Sequence, residues 1–381
     1  MKTFDCPKCS APVTYEPNVF RGGPLRCAYC KSQLQPPDEL HGLQARVIDI
    51  KIGPEVRATA SKAIWVVVLI PIIIAVIVVG GVIAGLTPLL RSASSLPSPT
   101  TTSGGPAGAK TNEPANAFAN VVLKFGSEGI GPGLMKDARS IAVDGQGKIY
   151  VGEYLGGRVQ VFDASGNFVT QWMVDRKMPL RGLAADRKGA VYIAQKGIIT
   201  RYEGETGKAL GEIPYSDGWG FDDVVVAPDG GLVCSWYKNR DDIVRFSADG
   251  QVVLTIRAAI STPADRSELS TRVAIDGLGN IYGLGSFTNG VFKFSPDGRF
   301  LNRFGGQGNQ PGQFQAVQAI AVDGKGRVFV SDSKGIQVFD SDGRYLSVFK
   351  PEDVASGMVF NDKNELFIAA RNKVIKFALT E

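Results

Sequence analysis

The amino-acid sequence predicts an all-β protein, a six-bladed β-propeller preceded by a small zinc ribbon and a single transmembrane α-helix. Three observations predict this arrangement. A strand–turn–strand phrase recurs through the last two thirds of the chain, two C-x2-C motifs lie near the N-terminus, and an uncharged apolar stretch separates them. With 381 residues, the chain is long enough for two or three domains.

The first segment, residues 1–40, carries four of the five cysteines in the motifs CPKC and CAYC. Cys6, Cys9, Cys27 and Cys30 can place four thiolates at the corners of a tetrahedron, which suits Zn²⁺. A domain of this size has little core, so a metal would supply much of its folding free energy. The stretch resembles short bacterial zinc ribbons. Two disulfides or free thiols are the alternatives.

Residues 63–90 contain no charged side chain, and Lys62 and Arg91 bracket them. About 20 apolar residues span a bilayer core, so the stretch predicts a transmembrane helix. The juxtamembrane segment 41–62 holds more Lys and Arg near the span than the other side does, so the N-terminus is expected in the cytoplasm. The paired cysteines agree, because thiolate ligands persist in a reducing compartment. The sequence thus predicts a single-pass plasma-membrane protein with its C-terminal part outside the cytoplasm.

A Ser/Thr/Pro/Gly-rich linker, residues 91–117, leads to a repeat region, residues 118–381. Its phrases are IAVDGQGKIYV (from 141), LAADRKGAVYI (183), VVVAPDGGLVC (224), VAIDGLGNIYG (273), IAVDGKGRVFV (320) and MVFNDKNELFI (358). With the turn aspartates as markers, the repeats fall at positions 144, 186, 229, 276, 323 and 362. Asp-Gly followed by alternating apolar residues predicts a hairpin, and this period predicts propeller blades.

The sixth repeat ends at its third strand, in NKVIKFALTE, and lacks an outer strand. The phrase VVLKFGSEGIGPG, from residue 121, echoes FLNRFGGQGNQPG, from residue 300, where an outer strand precedes a Gly-rich connector. We therefore expect Val121–Phe125 to complete the last blade. Closure of the ring would remove an exposed sheet edge.

Two phrases, GSEGIGPGLMKDARSIAVDGQGKIYVGE (126–153) and GGQGNQPGQFQAVQAIAVDGKGRVFVSD (305–332), resemble the NHL-repeat family. The resemblance covers nearly all of 119–381 and is weaker within 183–260. It implies a six-bladed propeller, and similar propellers form the extracytoplasmic sensor part of some bacterial receptor kinases. The order of parts therefore suggests a non-enzymatic sensor or adaptor, with the zinc ribbon as a structural unit or a docking site for a cytoplasmic protein.

Alternating turns put the blade connectors and the loops between second and third strands on one face of the propeller. Aromatic and basic residues concentrate in these loops, which is typical of recognition surfaces. We expect a protein or glycan ligand to bind there, through Tyr154, Arg181, Trp219, Phe221, Trp236, Tyr237, Lys238, Arg240, Phe287 and Arg371. The repeat region is nearly neutral, which argues against nucleic-acid binding.

The repeat region contains no histidine, since the single one in the chain is His41. His-based acid–base or metal chemistry is therefore excluded there. A calcium site at Asp222–Asp223 or Asp241–Asp242, in a lactonase-like or other hydrolase propeller, is an alternative to loop or turn-capping roles for these carboxylates. Cys234 is expected to be a small core residue. A surface scaffold without signalling is a second alternative function.

Overall fold

The computed structural model of the chain describes residues 118–238 and 240–380 in full, together with the backbone of five short strands nearer the N-terminus. The expected zinc ligands, the stretch 63–90 and the linker lie outside the described residues. Within the described ranges, no helix has both the length and the apolar character that a membrane crossing requires.

Four of the N-terminal strands form two small antiparallel hairpins, and the fifth pairs with a strand of the repeat region. They are β1 (Lys2–Asp5), β2 (Pro12–Tyr15), β3 (Leu25–Arg26), β4 (Gln33–Leu34) and β5 (Arg46–Asp49). Strand β1 pairs with β2, and β3 pairs with β4. Each hairpin is therefore joined by a short segment, 6–11 or 27–32, that contains one C-x2-C motif.

The repeat region forms six antiparallel sheets, each of which supplies one blade of a propeller. The chain enters through β6 (Ala119–Phe125), β7 (Ser127–Glu128) and β8 (Leu134–Met135). Blade one contains β9 (Ala138–Val143), β10 (Ile149–Glu153), β11 (Arg158–Phe162) and β12 (Phe168–Met173). Blade two contains β13 (Leu180–Ala185), β14 (Ala190–Gln195), β15 (Ile198–Glu203) and β16 (Ala209–Glu212). Blade three contains β17 (Phe221–Val226), β18 (Leu232–Trp236), β19 (Asp242–Phe246) and β20 (Val252–Arg257).

The other three blades follow the same order, after a short helix α1 (Ser261–Ala264) in the connector from blade three. Blade four contains β21 (Thr271–Ile275), β22 (Ile281–Gly285), β23 (Gly290–Phe294) and β24 (Phe300–Gly305). Blade five contains β25 (Ala319–Val322), β26 (Val328–Asp332), β27 (Gly335–Phe339) and β28 (Tyr345–Phe349). Blade six contains β29 (Gly357–Phe360), β30 (Leu366–Ala370), β31 (Lys373–Leu379) and, from the start of the region, β6.

The predicted ring closure is confirmed. Strand β6 pairs antiparallel with β31, so the chain's last strand borrows its outer neighbour from the start of the repeat region. The ring of Phe125 packs at 4.7 Å, between centroids, on Phe162 of blade one. It also lies against Gly166, where an added Cβ would stand 2.5 Å from a ring carbon. Phe304 of blade four packs on Gly343 of blade five in the same way. This shared packing explains why the sequence from residue 121 resembles the sequence from residue 300.

In five of the six blades, the first turn is held by its leading side chain. In blade one, the Asp144 carboxylate accepts hydrogen bonds from the backbone amides of Gln146 and Lys148 at 2.9 Å, and from the Tyr150 hydroxyl at 3.0 Å. Asp186, Asp276 and Asp323 cap their turns in the same way. The aspartates are therefore turn caps.

Two of the predicted turn markers were wrong. The leading position of the turn is Ala227 in blade three and Asn361 in blade six, not Asp229 and Asp362. The amide of Ala227 donates to the carbonyl of Gly231 at 2.8 Å, which matches the bond between Asp144 and Lys148 in blade one. Blade three keeps the backbone turn without the capping carboxylate. Asp229, two residues further along the chain, was therefore mistaken for the leading position of the turn.

Glutamines in the third strands shape two blade connectors. The Gln160 side chain accepts a hydrogen bond from the Gly133 amide at 2.9 Å and donates to the Leu134 carbonyl at 2.8 Å. In blade five, Gln337 makes the equivalent bonds to the connector 306–318. These two connectors carry the most specific part of the NHL-like phrase, so that part of the phrase encodes connector conformation.

The outer edge of blade three is extended by β5, which pairs in parallel with β20. The register places Arg46 opposite Leu254 and Asp49 opposite Arg257. Among the described strands, this is the one blade with a fifth strand. The pairing brings residues 46–49 to the propeller, whereas the sequence predicts that a membrane separates these residues from the propeller.

Candidate functional site

The innermost strands of the six blades line a central channel with a cavity volume of about 770 Å³. One end of the channel opens on the first turns of the blades. The other end opens on the face that carries the blade connectors and the loops between second and third strands, here called the connector face. The predicted ligand residues lie in these loops or on the adjoining strand ends.

Three successive blades carry a β-bulge where the channel opens on the connector face. The register shifts next to Arg139 in β9, next to Arg181 in β13 and next to Asp222 in β17. Each bulge leaves one residue unpaired in the inner strand, and bulges are a common way to re-aim a side chain beside a site. In each case the unpaired residue is charged. Arg139 and Arg181 line the channel.

Arg272 of blade four reaches across to the neighbouring inner strands below this opening. Its Nη1 donates to the Arg181 carbonyl oxygen at 2.9 Å and lies 3.7 Å from Oδ1 of Asp223. Asp223 also accepts a hydrogen bond from the Val273 amide at 3.0 Å, and its side chain is 14% exposed. Burial raises the pKa of Asp223 to about 6, although the nearby Arg272 guanidinium opposes the shift.

Aromatic rings hold the cations of the opening in place. The Arg139 guanidinium carbon lies 4.2 Å from the centroid of the Tyr154 ring, and that of Arg181 lies 5.7 Å from the Tyr237 ring. Next to them, the Lys238 ammonium lies 4.3 Å from the ring of Trp219. We call the set Arg139, Arg181, Arg272, Asp222 and Asp223 the channel mouth.

The connector face also exposes a ring of apolar side chains around the channel mouth. Seven exposed large hydrophobic residues of the described ranges lie in its loops: Ile130, Leu155, Met178, Trp219, Leu269, Phe287 and Val354. The first turns on the opposite face expose only Leu278 among the described residues of this kind. Exposed apolar surface gathered on one face is typical of an interaction site.

The structure places two of the predicted ligand residues in the core, and these assignments are corrected. Phe221 is 1% exposed and Trp236 is 4% exposed, and their rings pack edge-to-face at 5.0 Å within blade three. Phe221 begins the inner strand β17 and Trp236 ends β18, so both belong to the sheet. Neither ring is free to contact a ligand.

The other predicted residues lie on the connector face but are spread around its rim. Tyr154, Arg181, Trp219, Tyr237 and Lys238 cluster beside blades one to three, as described above. Arg240 is exposed, and its Nε lies 3.6 Å from a carboxylate oxygen of Asp242. Phe287 and Arg371 belong to the second loops of blades four and six.

A buried carboxylate supports the exposed Phe287 ring. Glu268, 4% exposed, accepts hydrogen bonds from the amides of Phe287 and Thr288, which fixes the loop of blade four. Phe287 itself is 50% exposed. An exposed aromatic ring on a firmly held loop is preorganised for a contact.

The carboxylates considered for calcium are engaged with the protein itself. Asp241 accepts hydrogen bonds from the amides of Ile260 and Ser261 at 2.6 and 2.7 Å, and Asp242 accepts one from Ala258 at 2.8 Å. Asp222 pairs with Arg181 at 2.6 Å. Within the described part of the chain, no three metal-binding side chains lie close enough together to share an ion.

Cys234 lies in the core of blade three, as expected. It is fully buried among residues such as Val224 and Phe246, and burial raises the pKa of its thiol well above the usual range. A thiol in this setting stays protonated, so Cys234 is a packing residue.

The sequence prediction missed Arg139, Arg272 and the aliphatic part of the rim. A usable signal was present for one of them. Arg139 and Arg181 both stand five residues before a turn aspartate, Asp144 and Asp186, so the same position of two consecutive repeats is an arginine. A side chain five residues before the turn is at the connector end of the inner strand, next to the channel.

Comparisons with known proteins agree with the fold. No protein-family model matches the chain. The human NHL repeat-containing protein 3 is 32% identical over 108 residues, which cover 26% of this chain and 31% of the relative. The chain thus spans about a third of the length of the curated relative that it matches. This similarity supports NHL repeats in the chain.

Solved structures with a similar fold include lactonase-type propellers. A gluconolactonase from Xanthomonas campestris superposes with a TM-score of 0.52 at 18% identity, over 68% of this chain and 99% of that one. A second structure, described as a gluconolactonase candidate, gives a TM-score of 0.53 at 15% identity, over 70% and 93%. At these identities the likeness concerns the propeller fold alone.

Proposed function

We propose that the propeller is a non-enzymatic binding module whose connector face receives a partner protein. The observation that carries the proposal is the placement of exposed apolar side chains, seven in the connector loops against one in the first turns of the described residues. Aromatic and basic residues among them are typical of interface centres.

The chemistry of the rim favours a protein over a glycan. Glycan sites depend mainly on flat aromatic rings and polar groups. Here Ile130, Leu155, Met178, Leu269 and Val354 add aliphatic surface, which suits the apolar core of a protein interface.

A photo-crosslinking amino acid at position 287 tests this proposal, with position 278 as the control on the opposite face. We expect a defined partner to be captured from position 287 and not from position 278. Binding of that purified partner should then weaken on Trp219→Ala and on Leu155→Ser. Capture from position 278 alone would overturn the proposal. A glycan that binds through Trp219 and ignores Leu155→Ser would assign the face to a sugar ligand instead.

We further propose that residues 63–90 cross the plasma membrane once, so that the propeller acts outside the cytoplasm as a sensor or adaptor. The support is the charge-free sequence and the excess of cations before it. A single crossing would separate β5 from β20, so this topology and the β5–β20 pairing within one chain exclude each other.

Protease added to intact cells distinguishes the two topologies, with an epitope tag at each terminus. The proposed topology predicts that the C-terminal tag is cleaved off while the N-terminal tag stays protected. Two accessible tags would refute the single crossing and would favour the strand pairing.

We also propose that Cys6, Cys9, Cys27 and Cys30 hold one Zn²⁺ and that the ribbon docks a cytoplasmic protein. The support is the position of each cysteine pair between two paired strands, β1 with β2 and β3 with β4, together with the preference of zinc for thiolates. Elemental analysis of the purified chain should find about one zinc per chain, lost on Cys27→Ser. Two disulfides in a metal-free chain would overturn this assignment.

The similar gluconolactonase folds favour one alternative, a metal-dependent propeller hydrolase. At the channel mouth, Arg139, Arg181 and Arg272 are each more exposed than the aspartate beside them, which argues for an anion there instead of a divalent cation. Calcium bound to the purified chain, together with lactone hydrolysis that stops on Asp223→Asn, would establish the enzyme.

A further inference from the structure

We infer that the channel mouth binds the carboxylates of an acidic segment of the partner protein, through the guanidinium groups of Arg139, Arg181 and Arg272. This inference rests on the proposed function and names the chemistry at the centre of the same face. It follows from the backbone, from the free donors of the arginines, from their fixation and from their exposure relative to the carboxylates beside them.

The backbone conformation of two inner strands places Arg139 and Arg181 at the opening. Arg139 and Arg181 are the unpaired residues of two bulges, so the inner strands of blades one and two break their ladders at the same level. A β-bulge interrupts the hydrogen-bond ladder of a sheet and leaves one residue without a partner strand residue. The repeated bulge thus turns two charged side chains to the rim of one opening.

The arginines keep donors for a ligand. The Nε of Arg139 donates to Asp137 at 2.8 Å, and Nη1 of Arg181 donates to Asp222 at 2.6 Å. A guanidinium has five N–H groups in a planar fork, so each arginine has further donors. The side chains of Arg139 and Arg181 are 46% and 40% exposed. A carboxylate can therefore accept paired hydrogen bonds from them.

The same side chains are fixed before a ligand arrives. Tyr154 lies under Arg139 and Tyr237 under Arg181, and each stacked pair restricts the rotamers of a long cation. Fixation lowers the conformational entropy that binding would otherwise cost. Arg272 is fixed from below by the Arg181 carbonyl.

The exposure of the charged groups favours an anion. Asp137, Asp222 and Asp223 match the three arginines in number, but their side chains are 25%, 3% and 14% exposed, against 46%, 40% and 26% for Arg139, Arg181 and Arg272. Asp222 is buried against Arg181, with 3% of its side chain exposed, and Asp223 faces Arg272 and the Val273 amide. The carboxylates of the mouth therefore pair with the arginines, and the guanidinium groups are the more exposed partners. Together with the surrounding apolar rim, this favours an acidic segment flanked by hydrophobic residues.

Hexaglutamate peptide with blocked termini is the probe, and hexaglutamine peptide is the neutral control. Binding to the purified full-length chain is measured by isothermal titration calorimetry at low ionic strength. We expect hexaglutamate to bind, hexaglutamine not to bind, and affinity to fall steeply with added salt. Arg139→Gln should weaken binding at least about tenfold, since a charge-assisted hydrogen bond contributes about 1.5–3 kcal/mol.

Arg187→Gln is the matched control, because Arg187 lines the other end of the same channel and its side chain is 80% exposed. It should leave hexaglutamate binding unchanged. Arg181→Lys keeps the charge beside the buried Asp222 and removes the planar fork, so a folded variant with weakened binding is expected. Thermal unfolding of each variant verifies that it is folded.

Equal effects of Arg139→Gln and Arg187→Gln, or no hexaglutamate binding at millimolar concentration, would overturn the inference. If the cross-linked partner then still depended on Trp219 and Leu155, the proposed function would stand without it. Binding of oligogalacturonate through the same arginines, with hexaglutamate inactive, would also overturn the inference, because the anion would come from a glycan.

Discussion

Replacement of Asp223 by asparagine should stabilise the protein at high pH and leave its stability unchanged at low pH. The Asp223 carboxyl has a pKa of about 6 in the folded chain, against an ordinary value of 3.8. Because the folded state holds this proton more tightly than the unfolded state, stability is lost as the pH rises from about 4 to about 6. At 1.36 kcal/mol per pKa unit, the ionised carboxylate costs up to about 3 kcal/mol above pH 6. An asparagine avoids this cost, and its carbonyl oxygen can still accept the hydrogen bond from the Val273 amide.

Urea unfolding of the full-length chain, followed by tryptophan fluorescence at pH 4.5 and pH 8, measures the difference. We expect Asp223→Asn to gain about 2–3 kcal/mol at pH 8 and only about 1 kcal/mol at pH 4.5, where the folded-state carboxyl is still mostly protonated. Asp265→Asn is the control, since Asp265 is an exposed residue in the left-handed conformation, which asparagine tolerates. A gain that does not change with pH, or a loss at pH 8, would refute the assigned burial of the Asp223 charge.

Two further predictions concern stability. Phe125→Ala should lower the free energy of unfolding by about 2–3 kcal/mol through lost contact with blade one, whereas Val121→Ala, at a position 54% exposed, should change it by less than about 0.5 kcal/mol. Similar costs for the two variants would argue against β6 as the closing strand. Phe221→Ala should cost about 3–5 kcal/mol, while Phe287→Ala should leave the urea midpoint nearly unchanged and weaken partner binding. A large stability loss for Phe287→Ala would make that residue part of the core.

The blades and the closure of the ring were predictable because both follow from local rules. Asp-Gly turns, alternating apolar strands and a repeated outer-strand phrase each have a short-range physical cause. The phrase around Phe125 repeats that around Phe304 because both rings pack on a glycine of the next blade. In blade three, Ala227 stands in place of the turn aspartate. The use of an aspartate as the marker therefore put the start of that turn two residues too late, at Asp229.

The composition of the candidate site was only partly predictable, because it depends on where strands begin and end. Phe221 and Trp236 stand at strand ends beside loops, and the shift of a boundary by one residue decides whether a ring enters the core. The bulges at Arg139 and Arg181 cannot be recognised from the sequence of one repeat alone. Contacts such as that of Arg272 with Asp223 join different blades, so the geometry of the mouth becomes visible in the folded ring.

Hydrogen–deuterium exchange of the full-length chain, with and without hexaglutamate peptide, locates the binding face. We expect the peptide to slow amide exchange at residues 136–140, 178–182, 237–238 and 240–241, which surround the channel mouth. The first-turn segment 276–279 on the opposite face should exchange at an unchanged rate. Protection of the first turns with no change around the mouth would contradict a binding face built on the connectors.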